Sequence, residues 1–281
     1  MRIIKASTVS DTVARLFVKA AYMPDEKLRA ALECAKVCEN SERCRAALGS
    51  LCENLDAAEQ IGVPICQDTG MAVVFADVGR EVFVEGASLY DAVNEGVRRE
   101  YTENFMRLSV VSDPLYDRKN TNDNTPAILH IRTVEGDKIT LTCAPKGFGS
   151  ENMSKIKMME PSASESDIVD FVVSVVKDAG ANPCPPIVVG VGIGGDFEYS
   201  AILSKRALTR PLDDENSDPR YARLEKKILD AVNNLGIGTA GFGGDVTALA
   251  VKCEFFATHI AGLPVAVNIN CHAVRHECAV I

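Results

Sequence analysis

Gly62-Val-Pro-Ile-Cys-Gln-Asp-Thr-Gly-Met-Ala-Val-Val-Phe-Ala-Asp-Val78 divides the sequence into two textures. Before it, apolar residues recur at helical spacing. After Pro24-Asp25, residues Leu28, Ala31, Leu32, Ala35 and Cys38 follow one helix face. After Ser41, a candidate N-cap, Cys44, Leu48, Leu51, Cys52 and Leu55 recur at i, i+4, i+7, i+8 and i+11. Gly62 and Pro64 stop that helix. From Val63 onward, short β-like runs alternate with glycine-rich turns and helices, and 71–78 reads as the first of these strands.

The pattern continues to the end of the chain. Residues 88–105 read as a helix with Leu89, Val93 and Val97 on one face. The runs 128–134 and 138–144 flank Glu135-Gly136-Asp137, a hairpin signal. A helix over 166–179 ends at Gly180, 187–193 is a buried-strand run, and 219–235 is another helix. Residues 245–256 and 265–271 look extended, with 248–257 also open to a helical reading. No internal repeat or low-complexity linker is present, and the polar stretch 213–218 reads as a surface loop. The expected fold is mixed α/β (α+β), a single domain over 1–281. In it a helical N-terminal layer, 1–62, packs on a mixed-sheet body, 63–281.

The 281 residues are 47% hydrophobic and 25% charged, which excludes disordered, collagenous and coiled-coil classes. No apolar run approaches the ~18 residues of a membrane span, and the apolar start is too short for a secretory signal. Thirty basic against 39 acidic residues leave a net charge of −9, which argues against a phosphate-backbone binder. The reading is a soluble, cytoplasmic protein without a nucleic-acid or membrane partner. Ten cysteines in a reducing compartment are then packing groups or metal ligands. The absence of CxxC and the presence of only four His argue against a zinc finger. Cys34, Cys38, Cys44 and Cys52 sit at helical spacing and read as buried packing. Cys143 and Cys253 lie in strand-like runs, and Cys278 lies near the C-terminus.

Cys66, Cys184 and Cys271 differ from the others in context. Cys66 lies between a proline and a turn, and Cys184 in Asn-Pro-Cys-Pro-Pro, where no regular helix or central strand forms. Cys271 ends an extended run. Pinned, irregular backbone suits a ligand whose sulfur must point at a fixed place. Asp68, two residues from Cys66, is an acid/base candidate, with a turn residue as the alternative. Lys146-Gly-Phe-Gly-Ser-Glu-Asn152 offers backbone N–H groups and a cation to an anion, or is simply a tight turn. Arg107 and the Lys205-Arg206 pair could each bind a carboxylate. Two segments, Gly190 to Gly195 and Gly236 to Gly241, match GxGxxG. The first has Asp213 and Asp214 about 20 residues on, as a dinucleotide site would, but Asp196 and Pro185-Pro186 crowd it.

Taken in order, seven segments resemble the α subunit, or N-terminal half, of class I fumarate hydratases and the related L-tartrate dehydratases. They are Pro64-Ile-Cys-Gln-Asp-Thr-Gly70, Asp123-Asn-Thr-Pro126, Ala144-Pro-Lys-Gly-Phe-Gly-Ser-Glu-Asn152, Asn182-Pro-Cys-Pro-Pro186, Gly190 to Gly195, Gly238-Thr-Ala-Gly-Phe-Gly-Gly244 and Asn270-Cys-His-Ala-Val-Arg-His276. The resemblance implies one [4Fe–4S] cluster per chain, held by Cys66, Cys184 and Cys271. With three thiolates on four irons, one iron stays open as a Lewis acid, whereas an electron carrier saturates every iron.

The implied reaction is hydration of fumarate to L-malate, with dehydration of L-tartrate to oxaloacetate as the alternative. Asp68 is implied as the acid at the hydroxyl, Gln67 as a group oriented on the substrate, and Arg107 and the backbone at Gly147 as carboxylate holders. In single-chain members a second domain brings a threonine base and further basic residues. The chain ends at Ile281, so the expectation is a separate β subunit in an α₂β₂ assembly. A non-catalytic cluster protein and a nicotinamide oxidoreductase are the competing readings from other classes. The first has no need of Asp68, Arg107 or an anion-binding loop.

Overall fold

A computed structural model describes residues 1–281. In chain order the elements are β1 (Arg2–Lys5), α1 (Ala6–Tyr22), α2 (Glu26–Cys38), α3 (Glu42–Ile61), β2 (Met71–Gly79), β3 (Val82–Glu85) and α4 (Leu89–Glu103). They continue with β4 (Ile128–Val134), β5 (Ile139–Lys146), α5 (Phe148–Glu151), β6 (Lys155–Met159), α6 (Glu165–Ala179), β7 (Ile187–Gly195) and α7 (Phe197–Ala207). The last are α8 (Pro219–Asn233), β8 (Ala248–Thr258), β9 (Leu263–Asn270) and β10 (Glu277–Val280). The fold is mixed α/β, as the sequence predicts. The chain forms two compact units. The first holds Met1–Asp25, Ala57–Phe148 and Arg275–Ile281, and the second Glu26–Asp56 and Gly149–Val274. No helix is long and apolar enough to cross a membrane.

In the first unit the sheet order is β10-β5-β2-β4, with β1 and β3 forming a separate parallel pair. Strand β2 is central because its Ala72-Val-Val-Phe-Ala76 run is buried at every position, which only a strand covered on both faces can satisfy. Helices α1 and α4 supply the apolar cover: Val9, Val13 and Phe17 meet Val93, Val97 and Tyr101 over Val74, Ala76, Ile139 and Leu141. Each fully buried Val, Leu, Ile or Phe among them contributes roughly 1.5–3 kcal/mol relative to exposure. The two helices approach closely at Gly96, where a Cβ would stand 2.6 Å from the Ser10 carbonyl oxygen.

The hairpin expected at Glu135-Gly136-Asp137 does not form as a pair. β2 lies between β4 and β5, parallel to the first and antiparallel to the second. The end of β2 enters the mouth of the turn: Arg80 N donates to Val134 O at 2.8 Å and Glu81 N to Gly136 O at 3.0 Å. β4, with much of its length exposed, serves as the edge, a place that tolerates charge.

In the second unit the order is β6-β9-β7-β8, with β7 parallel to β8 and antiparallel to β9. The α6 residues Val172 and Val176 and the α8 residues Ile228 and Val232 cover Val189, Val191, Val267 and Ile269. Ser164 and Asp167 form a reciprocal capping box at the start of α6, and Asp218 caps α8 ahead of Pro219. The first GxGxxG match has a packing cause. Gly190 and Gly192 lie inside β7, and Cβ atoms there would stand 2.1 Å from Ser204 O and 2.0 Å from Ser200 O of α7. These glycines let a helix lie directly on a strand, rather than shaping a turn around a pyrophosphate. Asp213 and Asp214 are engaged by Lys27 at 2.6 Å and Arg210 at 2.8 Å.

Cys44 and Cys52 are buried as expected, and so are Cys143 and Cys253. Burial pushes the Cys52 thiol up to about 11 and raises Cys143 and Cys253 further. Cys34 and Cys38 are exposed, contrary to expectation. The core face of α2 is Leu28, Leu32 and Ala35, and both thiols project from its solvent side. The end of α2 is tied down by Glu39, which is 1% exposed. Its carboxylate accepts N–H bonds from Ser41 at 2.9 Å and from Asp245 and Val246 at 3.0 Å each.

Candidate functional site

The loop between α3 and β2 carries Cys66, Gln67 and Asp68, and it is held from several sides within the first unit. Thr69 is buried; its hydroxyl accepts the Arg107 N–H at 2.9 Å and donates to Arg107 O at 3.3 Å. The Tyr101 hydroxyl donates to Thr69 O at 2.8 Å. Burial raises this phenol far above its ordinary range, so it stays a neutral donor. Asn124 is fully buried: its amide donates to Gly70 O at 3.1 Å, and its oxygen accepts from Ser109 N at 2.7 Å and Val110 N at 3.2 Å. The Asp123-Asn-Thr-Pro126 segment thereby fastens the loop to the stretch that bears Arg107. Gly70, at φ +75°, passes so close to β5 that a Cβ would lie 2.6 Å from the Lys146 backbone.

Asp68 is half-buried and each of its oxygens has a backbone donor. Oδ1 accepts Gly70 N at 3.0 Å and Oδ2 accepts Phe148 N at 2.9 Å. The carboxyl is fixed in orientation while part of each oxygen's accepting capacity remains. Gly147 lies against it: a Cβ there would be 3.0 Å from Asp68 Oδ2 and 3.6 Å from Arg275 Nη2. Lys146 is 5% exposed and donates from Nζ to Gly147 O at 3.3 Å. Arg275 is 4% exposed, and its Nε and Nη1 have no hydrogen-bond partner. Buried donors are normally satisfied.

Of the predicted residues, Asp68, Arg107 and Gly147 are thus gathered by direct hydrogen bonds or close approach around one loop. Gln67, next to Asp68, and Arg107 present exposed side chains. Lys205 is engaged elsewhere, in an ion pair with Glu151, whose other oxygen accepts from Asn268 Nδ2 at 3.0 Å. Tyr101, Asn124 and Arg275 were not singled out as site residues from the sequence. Asn124 and Arg275 stand inside the segments that carry the family resemblance, whereas Tyr101 is a buried aromatic on α4.

Cys184 and Cys271 lie in the second unit, and the chain brings their segments together. His272 approaches the Cys184 carbonyl oxygen twice, donating from its backbone N at 3.4 Å and from Nδ1 at 3.0 Å. Ala240 N donates to Pro185 O at 2.9 Å, fixing the far side of the Asn-Pro-Cys-Pro-Pro loop. Cys184 is exposed and adopts φ +56°. Such a backbone costs a side-chain-bearing residue about 1–2 kcal/mol, and strain of this kind clusters at functional positions. Cys66 and Cys271 are half-buried, and all three thiols stand outside helices and strands. The donor chemistry, thiolate sulfur on rigid irregular backbone, fits an iron–sulfur cluster. No three His, Cys, Asp or Glu side chains gather as the ligands of a single metal ion.

The model of the fumarate hydratase (fumerase) family matches residues 10–280 of the chain. The putative L(+)-tartrate dehydratase subunit alpha of Methanocaldococcus jannaschii is 40% identical over 275 residues, which cover 95% of this chain and 95% of that protein. The L(+)-tartrate dehydratase subunit alpha of Escherichia coli strain K12 is 29% identical over 255 residues, covering 90% of this chain and 84% of that protein.

Proposed function

The chain belongs to the fumarate hydratase family, and from that premise we propose that it is the cluster-binding α subunit of a hydro-lyase. Its substrate is a four-carbon dicarboxylate, with fumarate and L-malate as the first reading. The observation that carries the proposal is Asp68. This carboxyl is pinned by two backbone N–H groups, two residues from Cys66, beside Gly147 and a buried guanidinium without a partner.

Cys66, Cys184 and Cys271 would hold the [4Fe–4S] cluster, one per chain. When bound, it supplies an open iron that polarises the substrate hydroxyl as a Lewis acid. Asp68 handles the proton at that hydroxyl. In dehydration it protonates the departing oxygen, so that water leaves; in hydration it takes the same proton back. The N–H donors from Gly70 and Phe148 hold the carboxyl at one angle throughout, which is the positional contribution to the rate. Gln67 orients the substrate, and Arg107 and the backbone at Gly147 receive its carboxylates. Arg107 suits this role because its main chain is anchored to Thr69 while its side chain is exposed and able to reach.

The proton on the neighbouring carbon needs a base, which we assign to a separate β subunit in an α₂β₂ assembly. The relatives' names, which end in "subunit alpha", support a partner. The same names favour a second reading, L-tartrate dehydrated to oxaloacetate. The test is a comparison of fumarate, L-malate and L-tartrate turnover by the anaerobically assembled enzyme, with Asp68→Asn as control. The proposal expects turnover of one substrate pair, lowered by about 10²–10⁴-fold in the variant with its iron content unchanged. Unchanged turnover in Asp68→Asn, or none of the three substrates accepted, would refute it.

A further inference from the structure

Arg275 carries a buried charge that no direct ion pair in the chain compensates. It enters no ion pair, two of its three nitrogens have no hydrogen-bond partner, and it is 4% exposed. The other two buried cations are treated differently. Lys146 donates to Gly147 O at 3.3 Å, and Lys252 donates to Leu212 O at 3.0 Å. A guanidinium kept out of water without an anion is among the most costly groups a fold can retain. Such a group implies an anion that arrives from outside.

The direction of arrival is set by Gly147. The side of this residue that a Cβ would cover faces Asp68 Oδ2, 3.0 Å away, and Arg275 Nη2, 3.6 Å away. Both side chains border that position, and the carboxyl stands too close for even a methyl to enter without a shift. A ligand beside them reaches the pinned carboxyl and the guanidinium together. Arginine rather than lysine suits such a place, because its planar fork matches carboxylate geometry.

We infer that Arg275 is a substrate-binding residue whose guanidinium receives one carboxylate of a dicarboxylate beside Gly147 and Asp68. The inference rests on the hydro-lyase reading and adds to it a second cation, supplied by this chain and buried, where Arg107 is exposed. A buried cation discriminates charge more strongly than an exposed one, since less water screens it.

The test uses the assembled, cluster-loaded enzyme and succinate, a dicarboxylate that cannot be dehydrated. Affinity for succinate is measured by calorimetry for wild type, Arg275→Lys and Arg275→Gln, with iron content and the melting temperature recorded for each. The expected result is succinate binding weakened about tenfold or more in Arg275→Gln, less so in Arg275→Lys, with iron content unchanged. The KM for the reacting substrate should rise by a larger factor than kcat falls. Unchanged succinate affinity in a folded Arg275→Gln enzyme overturns the inference, as does a loss of iron in place of a loss of affinity. Should neither variant fold, a structure of the wild-type enzyme with succinate decides. A carboxylate oxygen within hydrogen-bond reach of Arg275 supports the assignment, and one bound elsewhere overturns it. A wild-type enzyme that neither binds succinate nor turns over any four-carbon acid rejects the hydro-lyase reading itself, a result distinct from those above.

Discussion

Gly147 is buried between a carboxyl and a guanidinium, and the chemistry proposed here depends on its having no side chain. An alanine would place its methyl 3.0 Å from Asp68 Oδ2, so the carboxyl has to move by a few tenths of an ångström. Gly147→Ala is therefore expected to raise the substrate KM about tenfold, because positioning errors of this size are felt in rate and binding. Steady-state kinetics beside a thermal melt check it; an unchanged KM would show that Asp68 and the space beside Gly147 are not used together. At this scale the sequence was informative where backbone is irregular. Cys66, Asp68 and Gly147 stand in segments rich in Gly and Pro, whose composition already excludes regular structure. Arg275 was not legible in that way. An arginine near a chain end reads as solvated, and only its burial and its missing partners mark it as unusual. Cys34 and Cys38 failed for the opposite reason: helical spacing predicts a face, but not which face meets the core.

Helix α4 shows how an element carries both support and cost. Its Tyr101 holds the Asp68 loop through Thr69. One position earlier along the helix, Glu100 is 1% exposed, with Oε2 accepting from Asn104 Nδ2 at 2.9 Å and Oε1 without a partner. Burial raises its carboxyl from 4.5 to about 7, with Glu103 adding to the rise and the Asn104 bond and Arg99 opposing it. A folded-state value above the unfolded one means that this group favours folding fully below pH 4.5. That contribution is lost as pH rises through about 7. Glu100→Gln removes the titration. Its stability relative to wild type should therefore improve by about 3 kcal/mol between pH 4.5 and pH 8, read from denaturant unfolding at each pH. A pH-independent difference would show that Glu100 is not held neutral. Element identity was largely readable from periodicity: Ser88 opens the helix read over 88–105 and Gly180 ends the one read over 166–179, whose cap at Ser164 lies two residues before the start read from the sequence. Pairing was not. The Glu135-Gly136-Asp137 signal is local, whereas the place of β2 between β4 and β5 is decided by which strand most needs covering. Likewise, GxGxxG in β7 could not be told from a phosphate loop until α7 was seen lying on Gly190 and Gly192.

For the molecule as a whole, the family assignment rests on matches that run along nearly the entire chain. The proposed cluster rests on three cysteines whose backbone context sets them apart from the other seven. Four of those seven, Cys44, Cys52, Cys143 and Cys253, are buried thiols, and burial holds Cys52, Cys143 and Cys253 protonated. Such thiols are poor ligands, because the thiolate is the binding form. Cys66 and Cys271 are half-buried and Cys184 is exposed. The central claim is that these three, distant in sequence, hold one cluster. The most direct measurement is anaerobic reconstitution of the wild-type chain and of Cys184→Ser with iron and sulfide, followed by iron and sulfide determination. The account predicts about four irons per wild-type chain and their loss, or rapid loss on gel filtration, from a Cys184→Ser chain that melts at the wild-type temperature. Retention of the full iron content in Cys184→Ser, or no iron bound by wild type, would contradict it.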